Sequence, residues 1–366
     1  MATIHLTVTI SDGISEASGT LALDLPSLSP PVEPPEPPPP DPEPPPEPDP
    51  DVNPFAPAPP QRPAVAPGSS GRVLTVGPGG GNNNFNTVAA AMNAAQAGDT
   101  IRIHQNFGRE AFILNKDVLV DGQGVNWDFG NVPRTQLAQQ RAAISCNHEA
   151  RWWHIRNFNI SGAGILETTH TLTSGIRVNN GIGEIENCTF RRCQNGIGAD
   201  HLPGWDLTIR NCDVRECGLN DGLTHGIYVN GGYRVRMIGG RSSDHRRAQA
   251  FKSRAFTTII EGTHLEQMEG VNLDISNGGT VRVRDAVLVK PAGSLTSTVI
   301  AYAAEGQQSG LPDNCLVERT RLDLRRAQGN VMRVERGLLT FAADNTWQGN
   351  APVRQEGGGR VVGLPG

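Results

Sequence analysis

The chain repeats itself at a short interval, and no other feature narrows its fold as much. Ile185-Glu186-Asn187-Cys188-Thr189-Phe190 recurs one period later as Ile209-Arg210-Asn211-Cys212-Asp213-Val214, and Cys193 recurs as Cys217 at the same spacing. Weaker copies start at Ile155, Ile238, Ile260, Val283 and Val317, so the start-to-start intervals are 30, 24, 29, 22, 23 and 34. Periods of this length, built from short β segments and glycine turns, indicate a solenoid in which each repeat is one coil of a three-faced parallel β-helix. A leucine-rich repeat has a similar period, but its leucine framework is missing. Long intervals such as 283 to 317 mark loops bulging from a coil, where binding grooves are commonly lined.

The repeat also accounts for the cysteines. Residues one period apart stack on adjacent coils about 4.8 Å apart, so Cys188 lies over Cys212 and Cys193 over Cys217. Flat neighbouring strands rarely offer disulfide geometry, so reduced interior thiols are expected.

Outside the repeats, composition divides the chain. Twenty-one of the 28 prolines fall between Pro26 and Pro67. Residues 26–71 therefore read as a linker, extended in polyproline geometry and stiffened by repelling acids such as Glu33, Glu36, Asp41 and Glu43. Residues 1–67 carry ten acids against Arg62 alone, and the remainder carries 27 acids and 31 bases, so a net −9 is followed by +4. A mildly basic body suits an acidic polysaccharide. Nucleic-acid binding is not expected without a dense basic stripe, and no segment approaches the ~18 apolar residues of a membrane helix.

Before the linker, residues 4–10 and 20–25 alternate strictly and read as two strands, so residues 1–25 form a small module. Two strands alone are marginal. Its apolar face needs a cover from a copy of itself, a larger assembly or the same chain's body. The first residues lack a basic n-region and an apolar h-region, so a cytosolic product without a signal peptide is expected.

The body, residues 72–366, opens with Arg72–Val76. A helix with Val88, Ala91, Met92 and Ala95 at helical spacing follows, with Asn86 as N-cap and Gly98 as stop. Further strands are read at Thr100–His104 and Asp117–Gly122.

A second ladder runs through Gly226-Ile227-Tyr228-Val229, Ala250-Phe251-Lys252-Ser253, Gly270-Val271-Asn272-Leu273 and Val299-Ile300-Ala301-Tyr302. With Ile227, Phe251, Val271 and Ile300 inward, Tyr228, Lys252 and Asn272 face outward in a column, and Arg254 and Asp274 become neighbours. His225, Tyr228, Lys252, Arg254, Asp274 and Glu305 then share one side. Lys252 or Arg254 would neutralise a uronate or abstract its proton, Tyr228 would serve as acid, and Asp274 would orient the base. An ion-pair ladder, Arg254 over Asp274, is the structural alternative, and passive binding is a third. Glycoside hydrolysis would need two facing carboxylates, for which Asp274 and Glu305 are the candidates. His225, Asn272, Asn277 and Tyr302 are the expected substrate-binding residues. Asn277-Gly278-Gly279 is a turn whose amides offer an anion site.

Trp152-Trp153 reads as a stacking platform or a core edge, and Asp244 to Arg247 as a solvated corner. No zinc spacing, phosphate loop or nucleophile elbow is present, and the acids are too scattered for calcium, so neither metal nor cofactor is expected.

Phe85-Asn86-Thr87-Val88, the alanine-rich helix and Ala97-Gly98-Asp99-Thr100-Ile101 resemble the capping segment of right-handed parallel β-helix proteins of the pectate-lyase-like superfamily, shared by pectin-active enzymes and phage tailspikes. Thr224-His225-Gly226-Ile227-Tyr228, Lys252-Ser253-Arg254-Ala255, Asp274 with Asn277-Gly278-Gly279, and Ala301 to Gly306 resemble the THNIY, KSRA, DLPNGG and YGAEG signatures of a bacterial and phage β-helix group. Gly226, Ile275-Ser276 and Ala303 depart from them. The resemblance implies an all-β right-handed parallel β-helix with a capping helix. It carries over neither a calcium site nor lyase activity. The leading expectation is a phage tail-fibre or tailspike-like receptor-binding protein on the virion tail. In that reading, residues 1–25 dock to other tail proteins, the body binds a bacterial surface glycan, and the assembly is a homotrimer. The alternatives are a secreted or cell-surface lyase, hydrolase or epimerase acting on an acidic glycan, and a purely structural fibre.

Overall fold

The computed structural model describes residues 3–11, 16–24, 58–78, 83–147, 149–202, 204–306, 313–325, 331–349 and 354–364. The chain divides into two units, Met1–Pro48 and Asp49–Gly366. In the first, Thr3–Ser11 pairs antiparallel with Glu16–Asp24, setting Ile4 opposite Leu23 and Leu6 opposite Leu21. The second strand begins earlier than alternation alone predicts. Most of the proline-rich run, up to residue 57, lies outside the described residues.

The second unit is a stack of coils with three walls. One coil runs Gly181–Glu186 on the first wall, Thr189–Arg191 on the second and Asn195–Ala199 on the third. The next repeats it as Trp205–Arg210, Asp213–Arg215 and Ile227–Val229, each paired parallel with its predecessor. Leu119–Asp128 and Trp152–Ser161 are long enough to bend across the first two walls. At that corner one residue per coil adopts positive φ: Asn157 (60°), Asn187 (52°), Asn211 (51°) and Gly262 (58°) among them. Asparagine and glycine tolerate this region best, which is why the repeat carries Asn there.

Inside the first wall, Ile155, Ile185, Ile209, Met237, Ile260, Val283 and Val317 stack in register. Met237 takes the place expected of Ile238, which instead follows Arg210 in the outward column. All six cysteines are buried and unbridged. Burial, reinforced by the neighbouring Cys212 and Cys193, pushes the Cys188 and Cys217 thiols far above their usual range.

The helix Val88–Ala94 closes one end of the stack, burying Val88, Ala91 and Met92 against Val73–Val76 and Thr100–Ile103. Its cap is Thr87 rather than Asn86: the Thr87 hydroxyl accepts from Ala90 N at 3.1 Å. Glu110 accepts from Val88 N and Ala89 N at 2.8 and 3.0 Å, so orphan amides of the first turn are satisfied from another coil.

Candidate functional site

The third-wall strands at mid-stack are three residues long: Ile227–Val229, Phe251–Ser253, Leu273–Ile275 and Ile300–Tyr302. Each has two ends turned inward and one central side chain turned outward. Ile227, Phe251, Leu273 and Ile300 align inside, and Tyr228, Lys252, Asp274 and Ala301 align outside.

This register corrects the expected one by two residues. Leu273, not Val271, is the inward partner of Phe251, so Asp274 stands beside Lys252 rather than Arg254. Asn272 does not face outward. It is fully buried, and its amide donates to Leu265 O (2.9 Å) and Val289 O (2.6 Å), tying the corner together. The turn before Leu273 ends two residues later than the expected register places it, which accounts for both changes. The expected Arg254–Asp274 ladder is therefore replaced by another network.

In that network Lys252 Nζ reaches Asp274 Oδ2 at 3.4 Å and Glu305 Oε1 at 2.6 Å, so the two carboxylates lie within about 6 Å of each other. Arg254 donates to Glu305 Oε2 and to the Tyr228 hydroxyl, and to Asn230 Oδ1 at 2.8 Å. Its guanidinium sits 5.5 Å from the Tyr228 ring centroid. Ser276 Oγ donates to Asp274 Oδ1 at 3.0 Å. The Lys252 and Asp274 side chains are 7% and 6% exposed, whereas Glu305 is 43% exposed.

The two carboxyls are tuned in opposite directions. Burial raises Asp274, and the nearby negative charge of Glu305 adds to this while Lys252 opposes it. For Glu305 burial also acts upward, but the hydrogen bonds and charges of Lys252 and Arg254 outweigh it and hold the carboxyl below its usual range. His225 is buried behind Tyr228, its ring edge-on at 5.1 Å. Burial, then the charges of Lys252 and Arg254, lower its pKa well below the ordinary value and keep it neutral.

The remaining expected binding residues lie differently. Tyr302 is fully buried and its hydroxyl donates to Gly279 O at 2.5 Å, so it supports the turn from inside. Asn277 is half-buried, with its carbonyl accepting from Arg336 at 3.0 Å. Gly279 N already donates to Asp313 Oδ1 at 2.9 Å, so this turn amide is held by a carboxylate of the chain itself. His245 is not part of a solvated corner. It is buried, 2.9 Å from Ser242 Oγ, and burial lowers its pKa to about 3. Trp153 is an interior residue donating to Asn180 O at 3.2 Å, and Arg62 lies over Trp152 on the first wall.

Sequence reasoning missed Arg177. It is 1% exposed, paired with Asp200 at 2.9 Å, and in line with Tyr228 across Gly198. A Cβ on Gly198 would fall 2.3 Å from Ser174 Oγ and 3.3 Å from the Arg177 guanidinium, so glycine leaves room for that arginine. The signal was present in Ser174-Gly175-Ile176-Arg177-Val178, Asn195-Gly196-Ile197-Gly198-Ala199 and His225-Gly226-Ile227-Tyr228-Val229, whose outward position reads Arg, Gly, Tyr. Among the described residues no group of three or more His, Cys, Asp or Glu is placed to hold a metal, and no helix is long and apolar enough to cross a membrane.

No curated protein matches the chain. Among solved structures it is similar to an alginate lyase from Paenibacillus sp. str. FPU-7, with a TM-score of 0.42 and 15% identity over 79% of this chain and 99% of that one. Residues 142–302 match the family described as right handed beta helix region. The stacked parallel walls and this match together make the body a right-handed parallel β-helix.

Proposed function

We propose that the third wall binds a strand of bacterial surface polysaccharide, and that the chain is a receptor-binding component of the phage tail-fibre or tailspike kind. One observation carries this reading: Tyr228, Lys252, Arg254, Asp274 and Glu305 converge in a single network, assembled from separate coils. Glu305 is its exposed member and occupies both cations. A uronate carboxylate has the same charge and shape and can take its place, so an acidic glycan exchanges for an internal anion at little electrostatic cost. The hairpin and the proline-rich acidic segment suit an anchor and a spacer, and a homotrimer suits such a particle.

Turnover is the second reading, favoured by the opposite tuning of two carboxyls within about 6 Å of each other. A raised Asp274 would protonate the leaving oxygen and an ionised Glu305 would serve as the second carboxylate. In a lyase reaction Lys252 or Arg254 would take the proton from the carbon beside the uronate carboxylate and Tyr228 would give one to the leaving oxygen.

Incubating the full-length protein with capsular and lipopolysaccharide preparations, with retention, new reducing ends and absorbance at 235 nm followed together, separates the readings. Retention without products supports the binder, and products abolished by Asp274→Asn support turnover. Neither retention nor products from any acidic glycan would remove the third wall as a glycan site. Light scattering showing a monomer at micromolar concentration would remove the trimer.

A further inference from the structure

We infer that a second glycan-binding surface lies on the second wall, apart from the third-wall network, and that it takes a uronate-bearing oligosaccharide segment. On the outer face of this wall Asn126, Asn159 and Thr189 align on successive coils, and Asp128, Ser161 and Arg191 align one step along. These six side chains, with Arg192 and Glu216, line an open concavity of about 600 Å³. A second one of about 610 Å³ shares Asn159 and continues over the corner past Gln105, Gln123, Asn157 and Asn187. The joined surface runs from neutral amides at one end to Arg191 and Arg192 at the other, where Asp128 and Glu216 also stand.

The arginines give this surface its positive end. Many outward guanidiniums of the coils are spent on carboxylates of the same chain: Arg156 on Asp121, Arg210 on Glu184, Arg234 on Asp206, Arg282 on Glu318, and Arg284 on Glu261. Arg191 and Arg192 are exposed, and among the described residues their side chains have no hydrogen-bond or ion-pair partner. The same holds for the exposed amides of Gln105, Gln123, Asn126 and Asn187. Asp128 stays ionised, its carboxyl lowered first by the bond from Gly130 N (2.9 Å), against burial, then by Ser161 Oγ (3.0 Å) and by the more distant charge of Arg192.

Each amide offers donors and an acceptor side by side, as a sugar's hydroxyls do. An unpaired guanidinium offers a fork that matches a carboxylate. A row of the first ending in a pair of the second fits a glycan with hydroxyls along its length and a carboxylate at the arginine end. This assignment does not rest on the function proposed for the third wall.

Calorimetric titration of the full-length protein with uronate hexamers and with a neutral glucan hexamer tests it. Three proteins are compared: the unsubstituted chain, Arg191→Ala/Arg192→Ala, and Arg254→Ala/Glu305→Ala with an altered third wall. A uronate hexamer should bind the third-wall variant as it binds the unsubstituted chain at this site. It should bind the arginine variant about a hundredfold more weakly, from about tenfold for each charge-assisted hydrogen bond removed. The neutral hexamer should bind more weakly than the uronate to the unsubstituted chain. Asn126→Ala/Asn159→Ala, a second pair of outward changes, should weaken both sugars. Three outcomes overturn the inference: no uronate binding by the third-wall variant, binding unchanged in Arg191→Ala/Arg192→Ala with an unchanged melting temperature, or equal affinity for the neutral sugar. Loss of binding only in the third-wall variant would return all glycan binding to that wall.

Discussion

Lys252→Met tests the third-wall network directly, because it keeps the length of the side chain and removes its charge. Asp274 is left buried, with the Ser276 hydroxyl at 3.0 Å but without its cation. Removing one partner of a buried pair costs about 3–5 kcal/mol at neutral pH, whereas replacing both by apolar groups is often neutral. For a body of about 300 residues that loss lowers the melting temperature by roughly 5–8 °C. The pH dependence gives the sharper reading. Asp274 already has a folded pKa above its unfolded value, and loss of Lys252 raises it further. A carboxyl raised on folding contributes most stability below the unfolded value, about 3.9, and loses it as pH rises through the folded pKa. The deficit of Lys252→Met against the unsubstituted chain is therefore larger at pH 7.5 than at pH 4, because Asp274 takes up a proton as pH falls. Lys252→Met/Asp274→Leu should melt close to the unsubstituted protein at both pH values. Scanning calorimetry on the unsubstituted chain, Lys252→Met, Asp274→Leu and the double variant, with hydrogen exchange at Phe251–Ser253 and Leu273–Ile275, measures this. A deficit equal at both pH values, or a double variant whose loss is the sum of the two single losses, would refute the coupling.

Three further outcomes follow from the packing. Thiol titration with an aromatic disulfide should find no reactive cysteine in the native protein and six in denaturant, since all six are buried and free. Gly183→Ala places a Cβ 2.1 Å from the buried Trp153 ring, and should cost about 1–3 kcal/mol or more in denaturant melts, while Gly108→Ala, with nothing within 4 Å, should cost little. For Asp121, burial acts upward, but hydrogen bonds from Asn157 (2.9 Å) and Arg156 (2.8 Å) outweigh it and lower the pKa. Its contribution is present above about pH 3.9 and lost as pH falls through the folded pKa. Asp121→Asn should therefore flatten that acid limb of the stability curve.

The sequence made the coil legible because stacking imposes one period on side chains of every kind. Asn187 and Asn211 at the corner, Cys188 and Cys212 inside it, and Ile185 and Ile209 on the wall all share that period, and each lies over its copy. Register on the third wall was harder. Three-residue strands leave too few apolar positions to fix it, and Val271 and Leu273 satisfy alternation equally well, since a shift of two preserves the faces. The choice between them is made by the turn before the strand, where the Asn272 amide is consumed by two carbonyls. Tyr302 lies one residue beyond an outward position and is therefore inward. The ladder put Glu305 on this side, but its contact with Lys252, 53 residues earlier, comes from the segment following the strand Ile300–Tyr302 and is not fixed by strand periodicity.

The network's cost argues for a task other than holding the coils together. The cross-coil pairs Arg210–Glu184 and Arg284–Glu261 leave both partners a quarter or more exposed, so neither charge is stripped of water. Lys252 and Asp274 are both shielded almost completely, and a buried pair adds no more stability than apolar residues of the same volume. The outward column of a solenoid wall accepts a small apolar residue, as Ala301 shows on the same line. Burying a lysine between two carboxylates, one shielded and one at the surface, instead stores a cation whose outer partner can be exchanged. A site of that kind is at its best when an anion arrives from solution, and the acidic glycan proposed above would present such anions at intervals.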